Sequence, residues 1–190
     1  MGDSLTARFF ENSAIQCARD LIGAEFFWGG CHGRIVETEA YLEHGDPACH
    51  TFSRPSAREF VARHPAGTAY VYLNYGVHWL FNVLTKDSGG AGFVLFRAIQ
   101  PLGGLELMQE RRHTRREIQL CSGPGKLCQA FGIRSDAHAK KFLGGPGKGI
   151  RPRTGPVKIA AGARIGISRG SEFPWRFAER NSPYLSKPLI

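Results

Sequence analysis

The chain has 190 residues, enough for one domain with a core of its own, and its 24 glycines and 11 prolines point to many turns and a β-rich fold. A net charge of +9 favours a polyanionic partner, and no apolar run approaches the roughly 18 residues a membrane helix requires. The five cysteines lack CxxC spacing, which argues against a disulfide framework and against a structural zinc. The opening Met1-Gly2-Asp3-Ser4 is followed by no hydrophobic stretch, so no secretory signal is read and an intracellular, reduced protein is expected.

Ser13 is placed to cap a first helix over 14–22, where Ile15, Ala18, Leu21 and Ile22 form an apolar stripe that Gly23 ends. Strands are expected near 24–28 and 33–41. The second, Gly33-Arg34-Ile35-Val36-Glu37-Thr38-Glu39-Ala40-Tyr41, carries the main chemical signal. Strict alternation puts Glu37, Glu39 and Tyr41 on the face that also carries Ile35. Two carboxylates on such a face are costly to bury unless paired, and burial raises a carboxyl pKa as a general base requires. The competing reading is an edge strand with solvated acids.

Residues 42–67 read as a long irregular loop, of the kind that is usually functional or disordered. Strands over 68–73 and 77–84 flank Asn74-Tyr75-Gly76 as a β-hairpin with Tyr75 near its tip. Tyr75 could be a minor-groove wedge. Gly89-Gly90-Ala91-Gly92 leads into a strand over 93–98, in which Arg97 needs a partner, with Glu39 or Glu37 the natural ones. Helices are expected over 102–112 and 124–131. Residues 134–156 read as a mobile basic loop, and strands near 157–168 and 175–179 close the chain.

Gly-Pro-Gly-Lys occurs at 123–126 and again at 145–148, but Leu127 and Gly149 stand where a P-loop has Ser or Thr. The first copy offers backbone N–H groups and Lys126 to a phosphate at a helix start, or is simply a helix-entry turn. Arg111 and Arg112 crowd the end of the 102–112 helix, either complementing its dipole or tracking phosphates. Clustered strands with irregularly placed helices give an α+β fold class, a single domain over 1–190.

From Ala7-Arg8-Phe9-Phe10 to Ser182-Pro183-Tyr184 the chain resembles the alkyladenine (3-methyladenine) DNA glycosylase family. Five ordered blocks carry the resemblance: Arg34 to Tyr41, Ala69 to Gly76, Val94 to Ala98, Leu120 to Ala130 and Ala163 to Gly166. It implies a mixed domain around a curved antiparallel sheet with a protruding hairpin and flanking helices. It also implies a monomeric, monofunctional hydrolase of base excision repair, needing no metal or cofactor. Its partner would be double-stranded DNA containing a damaged purine, with no membrane involved. The lesions implied are 3-methyladenine and 7-methylguanine, with hypoxanthine a further one.

By the same resemblance Tyr75 would intercalate as a nucleotide is extruded, and the flipped base would lie between Tyr41 and Tyr72 with His50 closing the pocket. Asn82 would exclude guanine. Glu39 would deprotonate a water held by Arg97 and the backbone carbonyl of Ile165, while Glu37 would be a structural ion-pair partner. Lys126, Arg111 and Arg112 stand as candidate phosphate contacts. The chain departs from the family pattern at Glu59, in the surrounding 52–66 loop, and at Asn74. The alternatives are a catalytically inactive basic DNA-binding module and an interaction protein whose acids and aromatics are only core and rim.

Overall fold

The computed structural model describes residues 4–189. Ser13 caps α1 (Ala14–Asp20) through the Gln16 N–H, and Gly23, at φ +89°, turns the chain back toward the sheet. Strands β1 (Glu25–Trp28) and β2 (Cys31–Leu42) follow as a hairpin. Next come α2 (His50–Ser53) and α3 (Pro55–Arg63), then the hairpin of β3 (Ala69–Asn74) and β4 (His78–Asp87), and the long β5 (Gly90–Gly103). Helices α4 (Leu105–Arg112) and α5 (Pro124–Phe131) precede three short strands, β6 (Gly149–Arg151), β7 (Ile159–Gly162) and β8 (Arg176–Glu179).

All strand pairs are antiparallel, in an open sheet of order β3-β4-β5-β2-β1-β6. The long β2 carries β1 beside its first half and β8 beside Glu37 to Glu39. One face buries the main core, where Phe26 lies 5.3 Å, centroid to centroid, from each of Phe81, Phe96 and Phe131. Such spacings suit edge and tilted aromatic contacts, each worth about 0.5–1.5 kcal/mol beyond the buried area. Helices α1, α4 and α5 close this face through Cys17, Met108 and Leu127. The opposite face carries a smaller cluster, with Tyr70 stacked on Phe93 at 4.5 Å under Phe60 of α3.

The structure corrects several sequence expectations. The 42–67 stretch is not irregular throughout: Pro55 starts α3, and Ala57, Phe60 and Val61 are its buried stripe. Glu59, the residue that departs from the family pattern, points outward and pairs with Arg63 one turn on at 2.5 Å. Nor is 134–156 only a loop, since Phe142 is buried in the main core and 149–151 pairs with β1. The expected strand over 157–168 is only Ile159–Gly162, and the expected helix over 102–112 starts later because β5 runs to Gly103.

Candidate active site

In β2 the alternation breaks between Ile35 and Thr38, where the β2–β5 ladder skips Val36 and Arg97. Ile35 therefore faces the main core with Ala40, while Glu37, Glu39 and Tyr41 face the other way. The expectation that Ile35 shares their face fails for this reason. A bulge re-aims side chains, and bulges are common beside active sites. Here it lets one strand contribute Ile35 to the core and two carboxylates to the opposite side.

Those carboxylates form a buried network rather than a solvated edge. Glu39 is fully buried: its Oε2 accepts from the Tyr41 hydroxyl at 2.8 Å and from Arg97 Nη1 at 3.3 Å, and its Oε1 accepts from the Ile165 N–H at 2.7 Å. Burial raises its pKa above the ordinary carboxyl value, and the Arg97 charge and the Ile165 and Tyr41 hydrogen bonds offset part of that rise. Glu37, also fully buried, accepts from Arg97 Nε at 2.9 Å and Arg176 Nε at 2.8 Å. It thus takes the ion-pairing place expected of it.

A cavity of about 680 Å³ opens in front of Glu39. Tyr41, His50, Tyr72, Asn82, Arg97 and Ile165 all line it, so most of the expected site is brought together. The Glu39 carboxylate lies just behind that wall, in contact with three of its members. His50 shares a hydrogen bond with the Tyr70 hydroxyl at 3.0 Å and meets the Tyr72 ring edge-on at 4.4 Å. Burial first, and then the Arg54 charge, lower its pKa to about 4, so it is neutral at physiological pH. Asn82 donates from Nδ2 to the Tyr70 carbonyl at 3.2 Å, which fixes its amide in the wall.

Tyr75 forms the hairpin tip, 88 % exposed, between strands held by a turn in which the Val77 N–H donates to the Asn74 carbonyl at 3.0 Å. Both central residues have positive φ, 49° for Tyr75 and 70° for Gly76, as a type I′ hairpin turn requires. Glycine accepts that backbone freely, whereas for a tyrosine it costs roughly 1–2 kcal/mol. The fold holds an exposed aromatic ring in a strained turn at the rim of the cavity, which Asn74 and Tyr75 both line.

The first Gly-Pro-Gly-Lys stretch starts α5 and brings Gly123 to Lys126 to the same rim, beside Arg112. The second is remote from it, with the Lys148 ammonium over the Trp28 ring at 4.4 Å. Arg111 does not line the cavity: its Nη1 donates to the Ala130 carbonyl at 3.0 Å, near the far end of α5. Sequence reading missed three contributors. Arg164 clamps Asp46 with two bonds of 2.6 and 2.8 Å and lies 4.7 Å from the Tyr41 ring, fixing the loop that carries Ile165. Ser186 binds Glu37 and Arg97, and His78 lies against Gly125, where a Cβ would meet it at 2.9 Å. Only an acid–base match between Asp46 and Arg164 was visible in the sequence, over more than a hundred residues of separation.

Among the described residues, no group of three or more His, Cys, Asp and Glu side chains is placed to hold a metal ion, and no helix is long and apolar enough to cross a membrane. The five cysteines are free and buried. The family model for methylpurine-DNA glycosylase matches residues 8–183. The chain belongs to the methylpurine-DNA glycosylase family. A protein named "Putative 3-methyladenine DNA glycosylase" from Nitrosospira multiformis is 45% identical over 180 residues, covering 95% of this chain and 92% of its own. Proteins of the same name from Rhodopseudomonas palustris (strain BisB18) and Bradyrhizobium diazoefficiens are 46% and 43% identical over 189 residues, covering all of this chain and 94% of each of theirs. In this glycosylase the buried acid, the aromatic-walled cavity and the protruding hairpin share one side of the sheet.

Proposed function

We propose that the protein is a monofunctional, monomeric DNA glycosylase that flips and hydrolytically excises alkylated purines, 3-methyladenine and 7-methylguanine, together with hypoxanthine. The observation that carries this reading is Glu39, sealed behind Tyr41 and Arg97 at the back of a 680 Å³ cavity. In the reading, Tyr75 enters the minor groove and fills the gap left by the nucleotide, which costs a few kcal/mol to extrude. Stacking on Tyr41 and Tyr72, at roughly 1–3 kcal/mol per base–aromatic contact, offsets most of that cost. Asn82 disfavours guanine through its exocyclic amine, and Lys126 and Arg112 hold flanking phosphates.

Glu39 then takes a proton from a water positioned by Arg97 and the Ile165 backbone. The water oxygen bonds to C1′ as the C1′–N bond breaks, and its electron pair leaves with the base. An alkylated purine already carries the positive charge that this pair neutralises. The N–H of Ile165 donates to Glu39 directly, which ties this residue's backbone to the acid beside which its carbonyl is assigned to act. Among the described residues Lys126 is the only amine lining the cavity, and the reading gives it a phosphate rather than C1′.

The test is base release from oligonucleotides carrying single defined lesions. Wild type should release 3-methyladenine, and Glu39→Gln should lose roughly 10²–10⁴-fold in rate while keeping its DNA affinity. Absence of release by wild type would leave a DNA-binding module instead. A protein–DNA adduct trapped by borohydride would overturn the monofunctional assignment.

A further inference from the structure

Beyond the residues that meet the base lies a segment with no secondary structure, Ser186 to Leu189, which passes behind the catalytic pair. Ser186 touches both of its members' supports. Its N–H donates to Glu37 Oε2 at 2.6 Å, its hydroxyl donates to Glu37 Oε1 at 2.7 Å, and that same hydroxyl accepts from Arg97 Nη2 at 3.2 Å. Arg176 of β8 anchors the segment from the other side, donating to the Lys187 and Pro188 carbonyls while its Nε binds Glu37. All three guanidinium nitrogens of Arg97 are thereby assigned: Nε to Glu37, Nη1 to Glu39, Nη2 to Ser186.

We infer that Ser186 is a positioning residue, the strap through which the C-terminal segment holds Arg97 against Glu39. The inference rests on the proposed role of Glu39 as general base. Arg97 sits between two carboxylates and is drawn to both. Its bond to Glu37 is the shorter, 2.9 Å against 3.3 Å, so a rotation of the guanidinium would give up the Glu39 contact first. Ser186 opposes that rotation from both ends. It occupies Glu37 with two donors of its own, and it gives Nη2 an acceptor only when the guanidinium lies in the plane that also brings Nη1 to Glu39. A serine is suited to this because one hydroxyl donates and accepts at once.

The charged and titratable groups around Glu39 are few. Arg97 faces it from β5, Tyr41 and Glu37 from its own strand and Tyr72 from β3, with Arg176 reaching it only through Glu37. Of these, Arg97 is the one cation in contact. Loosening Arg97 must therefore make Glu39 harder to ionise, leaving the Ile165 and Tyr41 hydrogen bonds to favour the carboxylate.

The test compares wild type with Ser186→Ala and Ser186→Thr. In single-turnover excision, Ser186→Ala should be slowed roughly tenfold near neutral pH, as expected for losing a hydrogen bond to a charged group. The acidic limb of its pH profile should move to higher pH. Ser186→Thr, which keeps the hydroxyl, should restore both, and DNA affinity should be unchanged throughout. Carboxyl ¹³C NMR titration of Glu39, which needs no substrate, should show its pKa higher in Ser186→Ala than in wild type. That measurement separates this inference from the functional reading, which fails only if wild type releases no base. A wild-type Glu39 titration in Ser186→Ala, or a slowed variant whose acidic limb has not moved, would overturn the inference. If Ser186→Ala does not fold, the same titration in Ser186→Thr and Arg176→Lys decides. A strap predicts an unmoved Glu39 in Ser186→Thr, and a raised one in Arg176→Lys, which loses the planar fork on the segment.

Discussion

Glu39 accepts three hydrogen bonds with none of its surface open to solvent, so its basicity is a balance between burial and the Arg97 charge. Burial is the larger effect, and single-turnover excision should therefore rise with pH through a limb above the usual carboxylate value of about 4.3. Removing the opposing charge with Arg97→Gln should push that limb further upward, because a neighbouring opposite charge favours the ionised carboxylate. The slower reaction should recover in part at alkaline pH. A limb that stays in place would detach Arg97 from Glu39's ionisation. His50 makes a second, independent prediction. Its folded pKa of about 4 lies below its ordinary 6.5, so between those values the unfolded chain binds the extra proton. Stability is then unaffected by this group above pH 6.5 and declines as the pH falls from there toward 4. Urea unfolding at pH 7 and pH 5 should show a smaller loss in His50→Gln than in wild type.

At the scale of elements, α3 forms the roof over the tyrosine wall. Phe60 lies 4.9 Å from the Tyr70 ring and 4.9 Å from His138, and Tyr70 in turn holds His50. Phe60→Ala should cost about 3–5 kcal/mol in denaturant unfolding, the usual range for a buried Phe→Ala cavity. It should also weaken discrimination between damaged and normal purines more than it slows excision of the best lesion. An effect below about 1 kcal/mol would mean that α3 is not packed as described. This helix also shows where sequence reading stopped. The Pro55 start and the Ala57, Phe60, Val61 spacing were present in the letters. Arg54, Arg58, Glu59 and Arg63 around them made the stretch look like a polar loop. Hairpin, Ser13 cap and β2 were legible because turn chemistry and alternation are local signals. The bulge at Val36 was not, since it depends on Arg97 leaving the ladder sixty residues away. The Ser186 strap left no mark at all, because a segment without repeat or periodicity announces no partner.

Over the whole molecule, a net charge of +9 sets a general attraction to DNA, but the cations are not equivalent. Lys126 and Arg112 line the cavity beside Tyr75, although Arg112 also donates to the Leu120 carbonyl and the Gln129 amide oxygen. Arg111 is used on the Ala130 and Gly29 carbonyls, and Lys148 on the Trp28 ring. Both groups contribute equally to net charge, so composition alone assigns them the same role, whereas counterion release depends only on cations that reach phosphate. Measured as log K against log salt, Lys126→Ala should lower the slope by about one, with a near-uniform loss of affinity across sequences and lesions. Arg111→Ala should leave the slope within error of wild type and instead lower stability, because it takes a donor from the carbonyls near the end of α5. If Arg111→Ala lowers the slope as far as Lys126→Ala does, the path of the DNA extends past α4 and away from the cavity described above. The placement of phosphates around Lys126 would then need to be redrawn.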